Sequence, residues 1–359
     1  MLLIACATIA CGARSELDVG SFDASTSDAT RDVAIVVDVT SPVADAQADV
    51  ATCTSCDGTC VSGRCIVTLA KGPATALAVD ATTLYWTNAG DCTDPAHCNG
   101  TVSMVGKNGG APVLLAFDLA HPRPIAVDAT RVYVGTDYAL WTIPVGGGPP
   151  TVFVPWTMAA SIAVDHDDVY WTNSIANTVM RAPLDGGAPT TIATDQSWVQ
   201  GIAIDATNVY WAVPGTEPTG YTDGWIATAP LAGGATTTLA SNQLLPDGLA
   251  LAGARLYWSD YNPTVGAITE DAIDGGAAAI LAPAQTYPNH VVADDAYVYW
   301  TALGTIPNDY ADGVVEKMSL AGGPITTIAS AQSFASAIVI DEDSVYWIAS
   351  NAIMKATPK

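Results

Sequence analysis

The sequence predicts an all-β chain closed into a seven-bladed β-propeller with four antiparallel strands per blade, and three observations carry the prediction. A Tyr preceded by Val or Leu recurs at Tyr85, Tyr133, Tyr170, Tyr210, Tyr257, Tyr299 and Tyr346, at intervals of 37 to 48 residues. Repeats of that length suit one blade each. Alternating runs of Val, Ile and Thr, broken by Gly and Pro, favour short strands, and no stretch keeps a helical apolar period. Finally, the last unit stops after three strands, and the missing fourth strand stands at the other end of the domain, in Ile66-Val67-Thr68-Leu69-Ala70. Pairing it with Ala352-Ile353-Met354-Lys355-Ala356 closes the ring and leaves no inner edge unpaired.

Residues 1–11 are apolar and end in Thr8-Ile9-Ala10-Cys11. This resembles the end of a bacterial lipoprotein signal, and the resemblance implies acylation at Cys11. The run is short and no Lys or Arg precedes it, as would follow from a translation start further upstream. Leu3-Ile4-Ala5-Cys6 fits the motif position by position but leaves almost no apolar region before it. An ordinary signal peptide, trimmed, is the alternative.

Residues 12–52 read as an acidic linker. Within residues 15–52 stand eight of the 36 acids of the chain, spread among Ala, Val, Ser and Thr. Such a segment buries too little apolar surface to offset its ordering entropy, so a disordered tether is expected.

Residues 53–65 form a cysteine-rich module carrying Cys53, Cys56, Cys60 and Cys65. Four close cysteines hold Zn²⁺ or form two disulfides, and an exported chain favours disulfides. Three pairings are open. Cys92 and Cys98, alone in a later loop, are expected to pair with each other.

Residues 66–359 hold the repeat, which unit three shows in full. Its strands are Ser-Ile-Ala-Val-Asp from Ser161, Val-Tyr-Trp-Thr from Val169, Thr-Val-Met-Arg-Ala-Pro-Leu from Thr178 and Pro-Thr-Thr-Ile-Ala from Pro189. Glycine pairs at Gly109, Gly186, Gly233, Gly275 and Gly322 mark the hairpin before the outermost strand, where left-handed turn geometry suits Gly. Asp80, Asp128, Asp165, Asp205, Asp294 and Asp341 close the first strands, with Ala252 in unit five. Their place before a tight turn fits a carboxylate that bonds its own backbone better than a metal ligand.

Leu256-Tyr257-Trp258-Ser259-Asp260, Val169-Tyr170-Trp171-Thr172-Asn173 and Leu84-Tyr85-Trp86-Thr87-Asn88 resemble the YWTD repeat of LDL-receptor-type propellers. The preceding strands are similar to NHL-type repeats. Receptor YWTD propellers have six blades, so the resemblance implies a six-bladed alternative; seven units are countable here, with Val134 in place of Trp in unit two.

The formal charge of −24, from 36 acids against 12 bases, repels a phosphate backbone and argues against a nucleic-acid partner. The four His residues fall in different units. No His-Glu-x-x-His helix, Gly-x-Ser-x-Gly elbow, phosphate-cradling loop or calcium loop is present. No catalytic, metal or cofactor residue is therefore assigned, and the chain is read as a binding module and not an enzyme. Two alternatives stand beside it: a propeller lyase or hydrolase with a metal at the channel mouth, and a purely structural envelope component.

The expected ligand face is the one bearing long insertions, at Gly90 to Asn99, Pro214 to Gly224, Asp260 to Gly266 and Gly304 to Gly313. Seven residues before the turn Asp lie Trp198, Tyr287 and Phe334; five before it lie Arg123, Gln200, Asp247, Asn289 and Ser336. These eight form an apolar collar and a polar ring at the channel mouth. The expected partner is a protein, peptide or glycan, bound by a monomer tethered to the cell envelope by lipid alone, as an outer-membrane lipoprotein, or secreted.

Overall fold

The computed structural model describes residue 53 and residues 56–94 and 97–359. The expectations for Cys11 and for the linker at residues 12–52 lie outside the described residues.

Seven antiparallel sheets make up the fold, six of them running outward in chain order and the seventh completed on its outer side by strands from the start of the domain. In blade 3 the order is Ala159–Val164, Asp168–Asn173, Thr178–Pro183 and Thr190–Ala193. The innermost strands of successive blades touch all the way round, and Ser336–Ile340 against Ala76–Val79 completes the circle. This is a seven-bladed propeller, and the six-bladed alternative is set aside.

Closure follows the complementarity of the two ends. The strand Arg64–Lys71 pairs with Ala352–Thr357 in a register that sets Ile66 opposite Ala356 and Thr68 opposite Met354. On its other side it takes a further outer strand, Thr59–Val61, through a two-residue turn in which Ser62 and Gly63 have φ of 48° and 77°. Consecutive positive φ values match the twist of a tight hairpin. The closing blade thus has five strands, the fifth drawn from the cysteine-rich segment.

Each of the seven buried apolar clusters spans one blade junction. Tyr170 of blade 3 meets Trp211 of blade 4, Tyr257 of blade 5 meets Trp300 of blade 6, and Tyr346 of blade 7 meets Trp86 of blade 1. Adjacent residues on a strand face opposite sides, so a Tyr-Trp pair sends one ring to each neighbouring blade. Blade 2 places Val134 where the Trp would stand, beside Tyr85.

The turn aspartates work as the sequence suggests and do one thing more. Oδ1 of Asp205 accepts the amides of Thr207 and Asn208 at 2.6 and 2.8 Å, while Oδ2 accepts the Tyr210 hydroxyl at 2.7 Å. The same arrangement holds Asp80 to Tyr85, Asp128 to Tyr133, Asp165 to Tyr170, Asp294 to Tyr299 and Asp341 to Tyr346. The buried Tyr of each pair therefore has its polar tip satisfied by the acid five residues earlier. Burial pushes the Asp80, Asp128 and Asp205 carboxyls up, yet the combined amide and hydroxyl bonds outweigh it and hold them below the ordinary value. Asp294 and Asp341 go down to about 2, also against burial, with Lys359 and Lys107 as further donors.

Disulfides join Cys53 to Cys60, Cys56 to Cys65 and Cys92 to Cys98. Three such bonds suit an oxidising compartment and an extracellular or secreted protein. Among the described residues no helix is long and apolar enough to cross a membrane.

Candidate functional site

Strand direction sorts the loops onto two ends. The Asp turns and glycine hairpins gather at one end. The insertions and the connections between blades gather at the other.

The blade connections share a backbone form that begins in the sequence. In Asp195-Gln196-Ser197-Trp198, Ala284-Gln285-Thr286-Tyr287 and Ala331-Gln332-Ser333-Phe334, the first and last residues all have φ between 54° and 60° or, for Tyr287, 52°. The Gln between them acts as a latch. Trp211 Nε1 donates to Gln196 Oε1 at 2.7 Å, Trp300 to Gln285 at 2.9 Å and Trp347 to Gln332 at 2.9 Å. In blade 3 the hydroxyl of Thr157 takes that role for Trp171. Each latch fixes the connection to the buried Trp of the following blade and so fixes the aromatic residue two positions beyond it.

Trp198, Tyr287 and Phe334 consequently stand at successive points on the insertion-bearing end, with Trp198 54% and Phe334 39% exposed. Tyr287 lies 5.1 Å from Tyr261 and 6.0 Å from Tyr310, and Tyr310 lies 4.9 Å from Phe334, measured between ring centroids. The four rings form an unbroken arc over blades 5, 6 and 7. Backbone bonds strap it down: Tyr287 N donates to Asn262 O, Leu303 N to Tyr287 O, and Phe334 N to Tyr310 O. The collar residues were legible in the sequence. Tyr261 and Tyr310, which join them into a surface, were not.

Two insertions share one internal design. Asp223 accepts the Thr216 amide and hydroxyl, and Asp312 accepts the Thr305 amide and hydroxyl, all at 2.6 to 2.7 Å. Each loop carries a single 3-10 turn, Glu217–Thr219 or Ile306–Asn308, followed by a Tyr with positive φ, Tyr221 or Tyr310. Side-chain bonds of this kind hold a loop of about ten residues in one shape without a core of its own. Gly215 and Gly304, at φ of 93° and 99°, pass too close to Asp223 and Asp312 for any Cβ.

The polar ring is built into the seams between blades. Hydroxyls of Thr87, Thr172 and Ser259, each next to a Trp, donate to the carbonyls of Arg123, Gln200 and Asn289 in the following blade. Gly201 N donates to Asp247 O, and Ser336 pairs with Ile348. The backbones of all five ring residues are thus committed to structure, and all five residues are part-buried. They sit at the inner-strand entries of blades 2, 4, 5, 6 and 7.

Two ionisable features were missed by sequence reasoning. Asp260, 7% exposed, takes a Thr269 hydroxyl bond on Oδ2, while burial pushes its carboxyl up to about 6. His121 Nδ1 lies 2.7 Å from Asp137 Oδ2 on the insertion-bearing end, an acid–base pair bridging a blade connection to an insertion-side turn. Neither carries a motif. Among the described residues, no three of His, Cys, Asp and Glu gather as a metal-binding group.

No family model and no curated protein matches the sequence. Solved structures do. The fold is similar to that of virginiamycin B lyase from Staphylococcus aureus, at 13% identity and a TM-score of 0.63, over 82% of this chain and 98% of that one. It is similar to a chain of a nidogen/laminin complex, at 22% identity and a TM-score of 0.50, over 62% of this chain and 86% of that one. A gluconolactonase from Xanthomonas campestris follows at 14% identity and a TM-score of 0.50, over 83% of this chain and 90% of that one. Likeness at these identities establishes the fold.

These neighbours correct one expectation. The absence of a recognisable motif suggested a protein that is not an enzyme, but the solved structures similar to it include a lyase and a gluconolactonase. Their catalytic use of the fold removes the ground for that exclusion, and catalysis is open for this chain. The error was to treat the absence of a linear motif as informative in a fold where side chains from different blades meet only in space.

Proposed function

We propose that this protein is a cell-envelope propeller, tethered through its N-terminal segment, that binds a protein ligand on its insertion-bearing end. The observation that supports this reading best is the aromatic arc, because partly exposed rings held in fixed positions bind at a low entropic cost. The nidogen/laminin neighbour is a propeller found in a protein complex, which fits the reading. Acylation of Cys11 and an extended acidic linker would hold the propeller clear of a membrane surface. The polar ring of Arg123, Gln200, Asp247, Asn289 and Ser336 lines the same end and contributes polar contacts at its centre.

Affinity capture from envelope extract tests it, using the full chain and a Tyr310→Ala/Phe334→Ala variant side by side. The wild-type chain is expected to retain a ligand that the variant loses. Equal recovery by both proteins would remove the arc from the site.

A further inference from the structure

We propose that the arc of Tyr261, Tyr287, Tyr310 and Phe334 docks a Lys- and Arg-rich segment of a partner protein. The inference rests on the proposed function and gives its partner a chemistry. Ring geometry, backbone conformation and charge each support it.

The rings are tilted to one another by 48°, 57° and 40° along the arc. A chain of sugars stacks best on rings that share a plane, and these rings share none. A cation needs one ring face at a time, at about 6 Å or less from its centroid, so a run of tilted faces suits side chains that approach from several directions. The chain already makes such a contact internally, where Lys317 Nζ sits 4.0 Å from the Tyr297 centroid.

Three of the four ring residues, Tyr287, Tyr310 and Phe334, have φ of 52°, 55° and 54°. Bulky side chains rarely adopt that conformation, and it persists only where the surroundings impose it. Asn or Gly would occupy those positions with less strain. The same connection that carries Tyr287 and Phe334 holds Leu245 and His121 at φ of 50° and 45° in other blades, so it is the connection that fixes those ring positions.

Charge then selects among ligands. The chain has a formal charge of −24, and four of its described bases are paired with acids away from the arc. Lys107 pairs with Asp341, Lys359 with Asp294, Arg181 with Asp168 and Arg255 with Glu270, in or beside the turn end. Beside the arc stand acids instead: Asp309 adjoins Tyr310, Asp312 anchors the same loop, and the buried Asp260 directly precedes Tyr261. A field of that sign steers a basic segment to this end and repels an acidic one.

The test titrates the full chain at physiological ionic strength with a Lys/Arg-rich peptide of about twelve residues, a length that spans such an arc. The same peptide with Gln at every basic position and chitohexaose serve as competing probes. Tyr310→Ala/Phe334→Ala leaves the net charge unchanged, so it separates ring contacts from bulk attraction. Should that variant not fold, Tyr310→Leu/Phe334→Leu keeps the apolar volume and removes the π faces.

The wild-type chain is expected to prefer the basic peptide, and the variant to bind it about tenfold more weakly. Equal affinity in both proteins means attraction by net charge alone and overturns the proposal. So does a preference for the Gln peptide or for chitohexaose. If the variant loses its envelope ligand in the capture experiment while basic-peptide binding is unchanged, the site stands and the basic partner is wrong; loss of neither overturns both.

Discussion

Met354→Pro is expected to destabilise the propeller by about 3 kcal/mol, since it leaves a ladder partner without its donor, at about 1–3 kcal/mol, in a strand paired on both sides where Pro is otherwise excluded. Met354 sits in the middle of Ala352–Thr357, opposite Trp347 on one side and Thr68 on the other. That strand is the seam where the last three strands of the chain take up a strand from before the first unit. Loosening it exposes two strand edges at once, those of Val345–Ala349 and of Arg64–Lys71. For a domain of this size the loss corresponds to a fall in melting temperature of about 5 °C. An unchanged melting temperature would show that Ala352–Thr357 is a dispensable tail and that the ring closes in some other way.

Asp260→Asn is expected to act in the opposite direction, stabilising the protein by about 1–3 kcal/mol at neutral pH, since one pKa unit is worth about 1.4 kcal/mol. The folded-state carboxyl is raised from 3.8 to about 6 by burial, against the bond from Thr269. Between those values the native state keeps a proton that the unfolded chain has released. The contribution of Asp260 is therefore fully favourable below about 4 and is lost as pH rises through about 6. The turn aspartates have the reverse sign. Asp294 and Asp341, held at about 2, contribute above about 4 and lose that contribution as pH falls toward 2. The wild-type curve should thus decline on both sides of mildly acidic pH, and Asp260→Asn should flatten only the upper side. The repeat itself recommends the substitution, because blade 3 carries Asn173 at the equivalent position, where its amide donates to Thr157. A variant less stable than the wild type at neutral pH would show that the ionised carboxylate has a compensating partner.

Both effects arise from parts of the chain that differ in how plainly the sequence announces them. The seam was legible because a strand has a pattern of its own, and a unit one strand short demands a donor elsewhere. The Tyr-Trp pairs and turn acids were legible because they repeat at nearly every blade. The bond from six of the seven repeat Tyr hydroxyls to the acid five residues before was written in that fixed spacing but not read. Asp260 was concealed by its motif, since a Tyr-Trp-Ser-Asp run looks ordinary until the burial of its last residue is known. The latches of Gln196, Gln285 and Gln332 recur with a constant offset of fifteen from their Trp partners and could have been found by aligning the units from the Trp backward. Tyr261 and Tyr310 had no such signal. They belong to insertions of unequal length, so the repeat period does not determine which ring of a neighbouring blade they meet.

The claim that ligands bind at the insertion-bearing end is tested most directly by hydroxyl-radical footprinting of the full chain, alone and with the ligand captured from envelope extract. Aromatic side chains react readily, and the structure supplies an internal control in Phe117, 64% exposed on an outer strand of blade 1. Binding is predicted to protect Trp198, Tyr310 and Phe334 while Phe117 continues to oxidise as in the free protein. Protection of Phe117 with Tyr310 and Phe334 unchanged would place the interaction on the outer rim and contradict the account.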